Sequence, residues 1–105
     1  MFHVVFLVRK SDRMDLEAFT RYWIDQHTPF TARVPGVVAY RCYAATGAPD
    51  GPPAVEGVAI LSFEDRDAYE RAVASPEFAA AIGDAPNFQN SATTTAIFAD
   101  EYVIV

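Results

Sequence analysis

Cysteine occurs once in this 105-residue chain, at Cys42, tryptophan once, at Trp23, and histidine twice, at His3 and His27. A single thiol rules out an intrachain disulfide and leaves no Cys-based zinc site. It fits a reducing compartment, and a cytoplasmic location is expected. Basic residues are also scarce. Eight Lys and Arg stand against 14 Asp and Glu, a formal charge of −6. Nucleic-acid binding needs a basic footprint, and anionic membranes attract basic segments, so neither partner is expected. Long apolar runs are missing as well. The stretch Met1–Val8 has no basic residues ahead of it, meets Arg9 and Lys10 at once, and is too short for a signal peptide or a membrane span. There is no Gly-x-Ser-x-Gly, no phosphate-binding glycine loop with its lysine, and no dinucleotide fingerprint. The carboxylates do not cluster at metal-ligand spacing, so no metal is expected.

What remains is a short, apolar chain. Hydrophobic residues make up 51% of it, more than a domain of this size buries in its own core. The length allows one domain, residues 1–105. The apolar excess predicts a subunit interface, most simply a homodimer.

Hydrophobic periodicity predicts the elements. Phe2 to Val8 reads as a strand apolar on both parities. Asp15 is a predicted N-cap, and Leu16, Phe19, Trp23, His27 and Phe30 recur at helical spacing on one face. Pro29 is expected to end that helix, and Pro35-Gly36 to turn the chain. Val37 to Ala44 and Val55 to Phe63 read as strands on either side of a Gly/Pro loop at 47–53. Glu64-Asp65 opens a second helix with Ala68, Tyr69, Ala72 and Val73 inward. Ser75-Pro76 opens a third, running to about Ile82 and stopped by Gly83. Residues 84–88 read as irregular. Ala96 to Phe98 and Tyr102 to Val105 flank Asp100-Glu101 as a final, bulged strand. This βαββαβ order predicts an α+β, ferredoxin-like fold with a four-stranded antiparallel sheet. Its helices cover one sheet face. Because the strands are apolar on both parities, a second copy is expected to cover the other face, giving a dimeric α/β barrel.

The chemistry-bearing residues are few. The imidazole of His27 suits an acid or base in a cleft between helix and sheet. Its alternative role is to close the helix C-terminus by bonding the last carbonyls. Trp23 and Phe19, on the same face, would form the apolar wall of a pocket, and Tyr40 is a candidate hydrogen-bond donor. His3 reads as a strand-end residue that could meet His27 across the helix–sheet contact. Tyr40 and Cys42 share one strand face, Arg41 and Tyr43 the other. Cys42, flanked by aromatics, reads as an inert thiol. Arg41 is a candidate for an acidic ligand or for a carboxylate across the interface.

Five segments together resemble EthD-domain proteins. They are Phe6–Lys10, Phe19-x-x-Tyr22-Trp23-x-x-x-His27-x-Pro29, Pro35-Gly36, Ala74–Glu77 and Asp84-Ala85-Pro86-Asn87-Phe88. The Tyr-Trp-x-x-x-His-x-Pro piece is the most specific, and the resemblance runs along nearly the whole chain. It implies a dimeric α/β barrel and places the family's characteristic His at His27, with Trp23 as its aromatic neighbour. The founding members are associated with fuel-ether degradation in an accessory role. Relatives include dehydratases and decarboxylases of aromatic polyketides, and the wider superfamily includes muconolactone isomerases, cofactor-free monooxygenases and haem-degrading barrels. The resemblance thus points to cofactor-free proton-transfer chemistry on a small apolar metabolite, aromatic or lactone-like: isomerisation, dehydration, cyclisation or decarboxylation. Two other functions stay open, a non-catalytic binding or accessory protein and a haem-binding or monooxygenase-type barrel.

Overall fold

The computed structural model describes residues 1–105. Strand β1 (Phe2–Val8) leads through a loop to helix α1 (Leu16–Tyr22), a π-helical turn (Trp23–His27) and helix α2 (Thr28–Ala32). Strands β2 (Ala39–Ala44) and β3 (Gly57–Phe63) follow, then helices α3 (Arg66–Val73) and α4 (Pro76–Asp84), a 3-10 turn (Ala85–Asn87) and strand β4 (Thr95–Ala99). The four strands form one antiparallel sheet in the order β2-β3-β1-β4. With the helices on one side of it, this is the expected ferredoxin-like α+β fold. No helix is long and apolar enough to cross a membrane.

Register assigns the strand faces. Val4 pairs with Leu61 and Phe98, and Leu61 with Tyr40. All four share the parity that meets the helices, where Val4, Leu61, Phe63 and Ala72 form part of a buried cluster. Tyr40 and Cys42 therefore face the helices, while Arg41 and Tyr43 face away. The away-facing parity carries His3, Val5, Leu7, Val58, Ile60 and Ile97, and no element of the chain covers it.

The helix starts follow from local chemistry. Asp15, Asp65 and Ser75 each accept the backbone N–H of the residue three positions on, from Ala18, Ala68 and Phe78. Each bond satisfies one donor that a helix N-terminus leaves free.

Five expectations need correction. Pro29 does not end the first helix, which continues to Ala32. The π turn explains why. Thr28 N–H bonds the Trp23 carbonyl, five residues back, so the carbonyl next in that pattern is Ile24, whose partner would be Pro29. Pro29 has no N–H, and the Thr28 hydroxyl donates to the Ile24 carbonyl instead, at 2.6 Å. Gly83 does not stop α4, because it keeps the helical hand rather than the positive φ of a glycine cap. Regular pairing of β2 and β3 starts at Ala39 and Gly57, two residues later than predicted in each strand. On α3 Ala68 and Ala72 are buried and Tyr69 packs against the core as expected, whereas Val73 is 36% exposed. The last strand ends at Ala99 and has no bulge. Ala99 pairs with His3, so β1 has almost no residues left to pair with the exposed segment Asp100–Val105.

Candidate functional site

The first helical segment lays Trp23 and His27 on the sheet. Trp23 is 1% exposed and His27 8%. Trp23 fits only because β3 begins with a glycine. A Cβ at position 57 would stand 2.5 Å from Trp23 Cζ3. Beside the indole lies a cavity of about 70 Å³ between the helices and the sheet. Phe6, Tyr40 and Leu61 line its sheet side, and His27, Thr31 and Ile82 its helix side. Phe19 is not among the lining residues. It is fully buried behind Trp23, with ring centroids 5.6 Å apart, so it supports the indole rather than forming the cavity wall.

His27 does not close a helix, since the chain remains helical beyond it. Its Nδ1 lies 2.8 Å from Oδ2 of Asp84, the last residue of α4. The Tyr22 hydroxyl donates to the other carboxylate oxygen at 2.7 Å, and Asn87 Nδ2 donates to it at 3.0 Å. The π turn makes this possible. In a straight α-helix, residues 22 and 27 would point about 140° apart. Closing the turn over five residues brings both side chains to one carboxylate.

Electrostatics fix the roles. Burial raises the Asp84 pKa, but hydrogen bonds from Tyr22, His27 and Asn87 outweigh it, and the pKa falls below the usual carboxylate range. The hydrogen bond to Asp84 in turn raises the Tyr22 phenol, with burial adding to it and Asn87 opposing part of the effect. An ionised carboxylate only accepts, so the proton in the His27–Asp84 bond sits on Nδ1. In neutral His27 the Nε2 lone pair is left on the side of Thr31, whose hydroxyl lies 3.4 Å away. Phe88 packs on the imidazole with centroids 4.5 Å apart and excludes water from that side. Burial also pushes the Tyr40 phenol strongly upward, with Thr31 and Trp23 opposing part of the effect. Tyr40 therefore stays protonated and can donate. The Cys42 thiol is raised by burial and stays unreactive at neutral pH.

His3 and His27 do not meet. His3 is on the uncovered sheet face, 2.6 Å from the Ser62 hydroxyl, with the sheet between it and His27. Arg41 lies on the same face as His3, away from the cavity. The structure thus brings Trp23, His27 and Tyr40 together, and adds Asp84, Tyr22, Asn87, Thr31 and Phe88. Tyr22, Asp84, Asn87 and Phe88 were already present in the motif segments, without a role attached to them.

Comparison with known proteins agrees with the fold. An ethyl tert-butyl ether D (EthD) family protein from Bacillus halodurans superposes with a TM-score of 0.83 at 22% identity, covering 97% of this chain and 99% of that one. A dimeric ferredoxin-like protein of unknown function from Thermobifida fusca gives 0.72 at 17% identity, covering 93% and 88%. An antibiotic biosynthesis monooxygenase gives 0.65 at 16%, covering 98% and 100%. At these identities the likeness concerns the fold. No functionally curated protein matches the sequence. The EthD-domain family model matches residues 11–92, a span that holds Trp23, His27, Asp84 and Phe88, and the chain belongs to that family.

Proposed function

We propose that this protein catalyses cofactor-free proton transfer on a small apolar metabolite in the cleft between helix and sheet, with His27 as the acid/base. The observation that carries this reading is the buried Asp84–His27 pair, which leaves Nε2 beside an apolar cavity. An imidazole with one nitrogen fixed by a carboxylate, at the wall of an apolar cavity, is set up to take or return a proton. Trp23 forms the wall, Tyr40 donates a hydrogen bond, and Asp84 positions His27. The reaction belongs to the isomerase or lyase type, and the protein is placed in the cytoplasm.

The His27→Gln variant tests this. With the fold unchanged by circular dichroism, it should lose acceleration of hydrogen–deuterium exchange on a small ketone. Unchanged exchange would remove His27 from the catalytic role.

The site is a homodimer's in this reading. A second copy covers the away-facing apolar parity of the sheet, and a neighbour of the same fold is described as dimeric.

A second reading is non-catalytic binding. It is favoured by the small cavity and by the absence of any reactive lining group apart from His27, Thr31 and Tyr40. It predicts thermal stabilisation by small apolar ligands without exchange or turnover. The size of the cavity also weighs against haem, whose macrocycle is far larger than about 70 Å³. Added haemin should give no Soret shift.

A further inference from the structure

The cavity lining is uncharged apart from His27. It contains no Lys, Arg, Asp or Glu. None of the eight basic side chains lines it, and five are placed elsewhere. Arg9 bonds Glu56, Arg21 bonds Glu17, Arg66 bonds Glu70 and Arg13 bonds the Pro86 carbonyl. Arg41 faces the opposite side of the sheet. Asp84, directly behind His27, holds a negative charge. With a neutral imidazole the site carries one negative charge, and with an imidazolium it carries none. An anionic ligand entering this cleft would lose its hydration and gain no compensating cation. A neutral ligand avoids that cost.

Two polar groups point the ligand further. His27 and Tyr40 line the same cavity from opposite sides, His27 from the helices and Tyr40 from the sheet. A ligand between them meets the imidazole with one atom and the phenolic donor with another, as an α-carbon and its adjacent carbonyl oxygen would. Size sets the other limit. An apolar cavity that binds benzene is about 150 Å³, against about 70 Å³ here. Ile82, half-exposed at 53% on α4, lines the cavity with Phe78. A single ring enters if these two side chains swing outward, whereas a fused ring system does not fit.

Building on the acid/base reading of His27, we infer that the substrate is an uncharged carbonyl compound of no more than one ring, held by its oxygen on the Tyr40 hydroxyl and deprotonated at the adjacent carbon by His27. The α C–H bond breaks and its proton goes to Nε2. The C–H electron pair forms the C=C bond, and the carbonyl π pair moves onto the oxygen that Tyr40 stabilises. Once the proton on Nε2 has been replaced by a solvent deuteron, that deuteron goes to the same carbon, giving exchange; delivery of the proton to a conjugated carbon gives an isomer. No oxidant or reductant takes part.

Proton NMR in D₂O tests this on the full chain with three probes: cyclohexanone, 3-oxocyclohexane-1-carboxylate and the methyl ester of that acid. The expected result is α-exchange above the buffer rate for cyclohexanone and for the ester, and exchange at the buffer rate for the carboxylate. Tyr40→Phe should slow cyclohexanone exchange about 100- to 1,000-fold, and His27→Gln should return it to the buffer rate. If the carboxylate exchanges as fast as its ester, the inference about charge is overturned while the acid/base reading stands. If Tyr40→Phe exchanges like wild type, the carbonyl assignment falls. If no probe exchanges above buffer, both this inference and the proton-transfer reading fall.

Discussion

Position 57 carries glycine because Trp23 occupies the volume a side chain there would need. A Cβ would approach two atoms of the indole six-membered ring to 2.5 and 2.8 Å, so the ring or the strand must move. Gly57→Ala should destabilise the protein by about 1–3 kcal/mol, the usual range for overpacking. Because Trp23 is the only tryptophan, its fluorescence reports the displacement directly, and urea unfolding gives the energy. Asp84 is the other decisive residue. Its folded-state pKa lies below the ordinary value, so its contribution to stability is complete above the unfolded carboxyl's pKa of about 4. That contribution is lost as the pH falls through the lower folded value. Asp84→Asn should cost about 1–3 kcal/mol at pH 7, and the gap to wild type should close in acid. Denaturant midpoints measured from pH 7 down to pH 2 would show it. A gap that stays constant to pH 2 would mean that the charge of Asp84 does not matter.

Among the elements, the π turn and α4 build the site between them. The turn gathers Tyr22 and His27, and α4 delivers Asp84 at its last residue. Helix α4 spans only nine residues, too few for a helix to be stable by itself, so its cap matters. Ser75 accepts the Phe78 N–H at 3.1 Å. Ser75→Ala should cost about 1 kcal/mol, and amide exchange should speed up first in α4. The helix starts at Asp15, Asp65 and Ser75 could be read in the sequence because each rests on a contact within three residues. The π turn could not. It depends on Thr28 replacing the donor that Pro29 lacks and on a carboxylate 57 positions away from His27.

At the scale of the molecule, one sheet face is left apolar and uncovered. Val5 pairs with both Ile60 and Ile97 on that face, flanked by Leu7 and Val58. Ile97 is about half-exposed and Val5 and Ile60 partly so. A contiguous patch of this kind marks an interface. Wild type should sediment as a dimer at micromolar concentration. Val5→Arg, which places a charge at the centre of the patch and leaves the helix-facing core untouched, should give a folded monomer. A monomeric wild type would refute the two-sided sheet.

The order of elements, the helix caps, the apolar excess and the Trp23–His27 face all follow from the sequence. Each rests on periodicity or on contacts between near neighbours, and such interactions leave a pattern in one dimension. The register that turns Tyr40 toward the cavity and Arg41 away from it was decided only in three dimensions. So was the place of Phe19 behind the indole rather than at the cavity. The partnership of His27 with Asp84 also belongs to the tertiary structure, because it depends on how α4 docks against the π turn. Residues 84–88 read along the chain as an irregular stretch following a glycine. Folded, they supply the carboxylate, amide and aromatic ring that give the imidazole its orientation. A carboxylate acts on an imidazole only at hydrogen-bond distance, and that distance exists only once the two helices have packed.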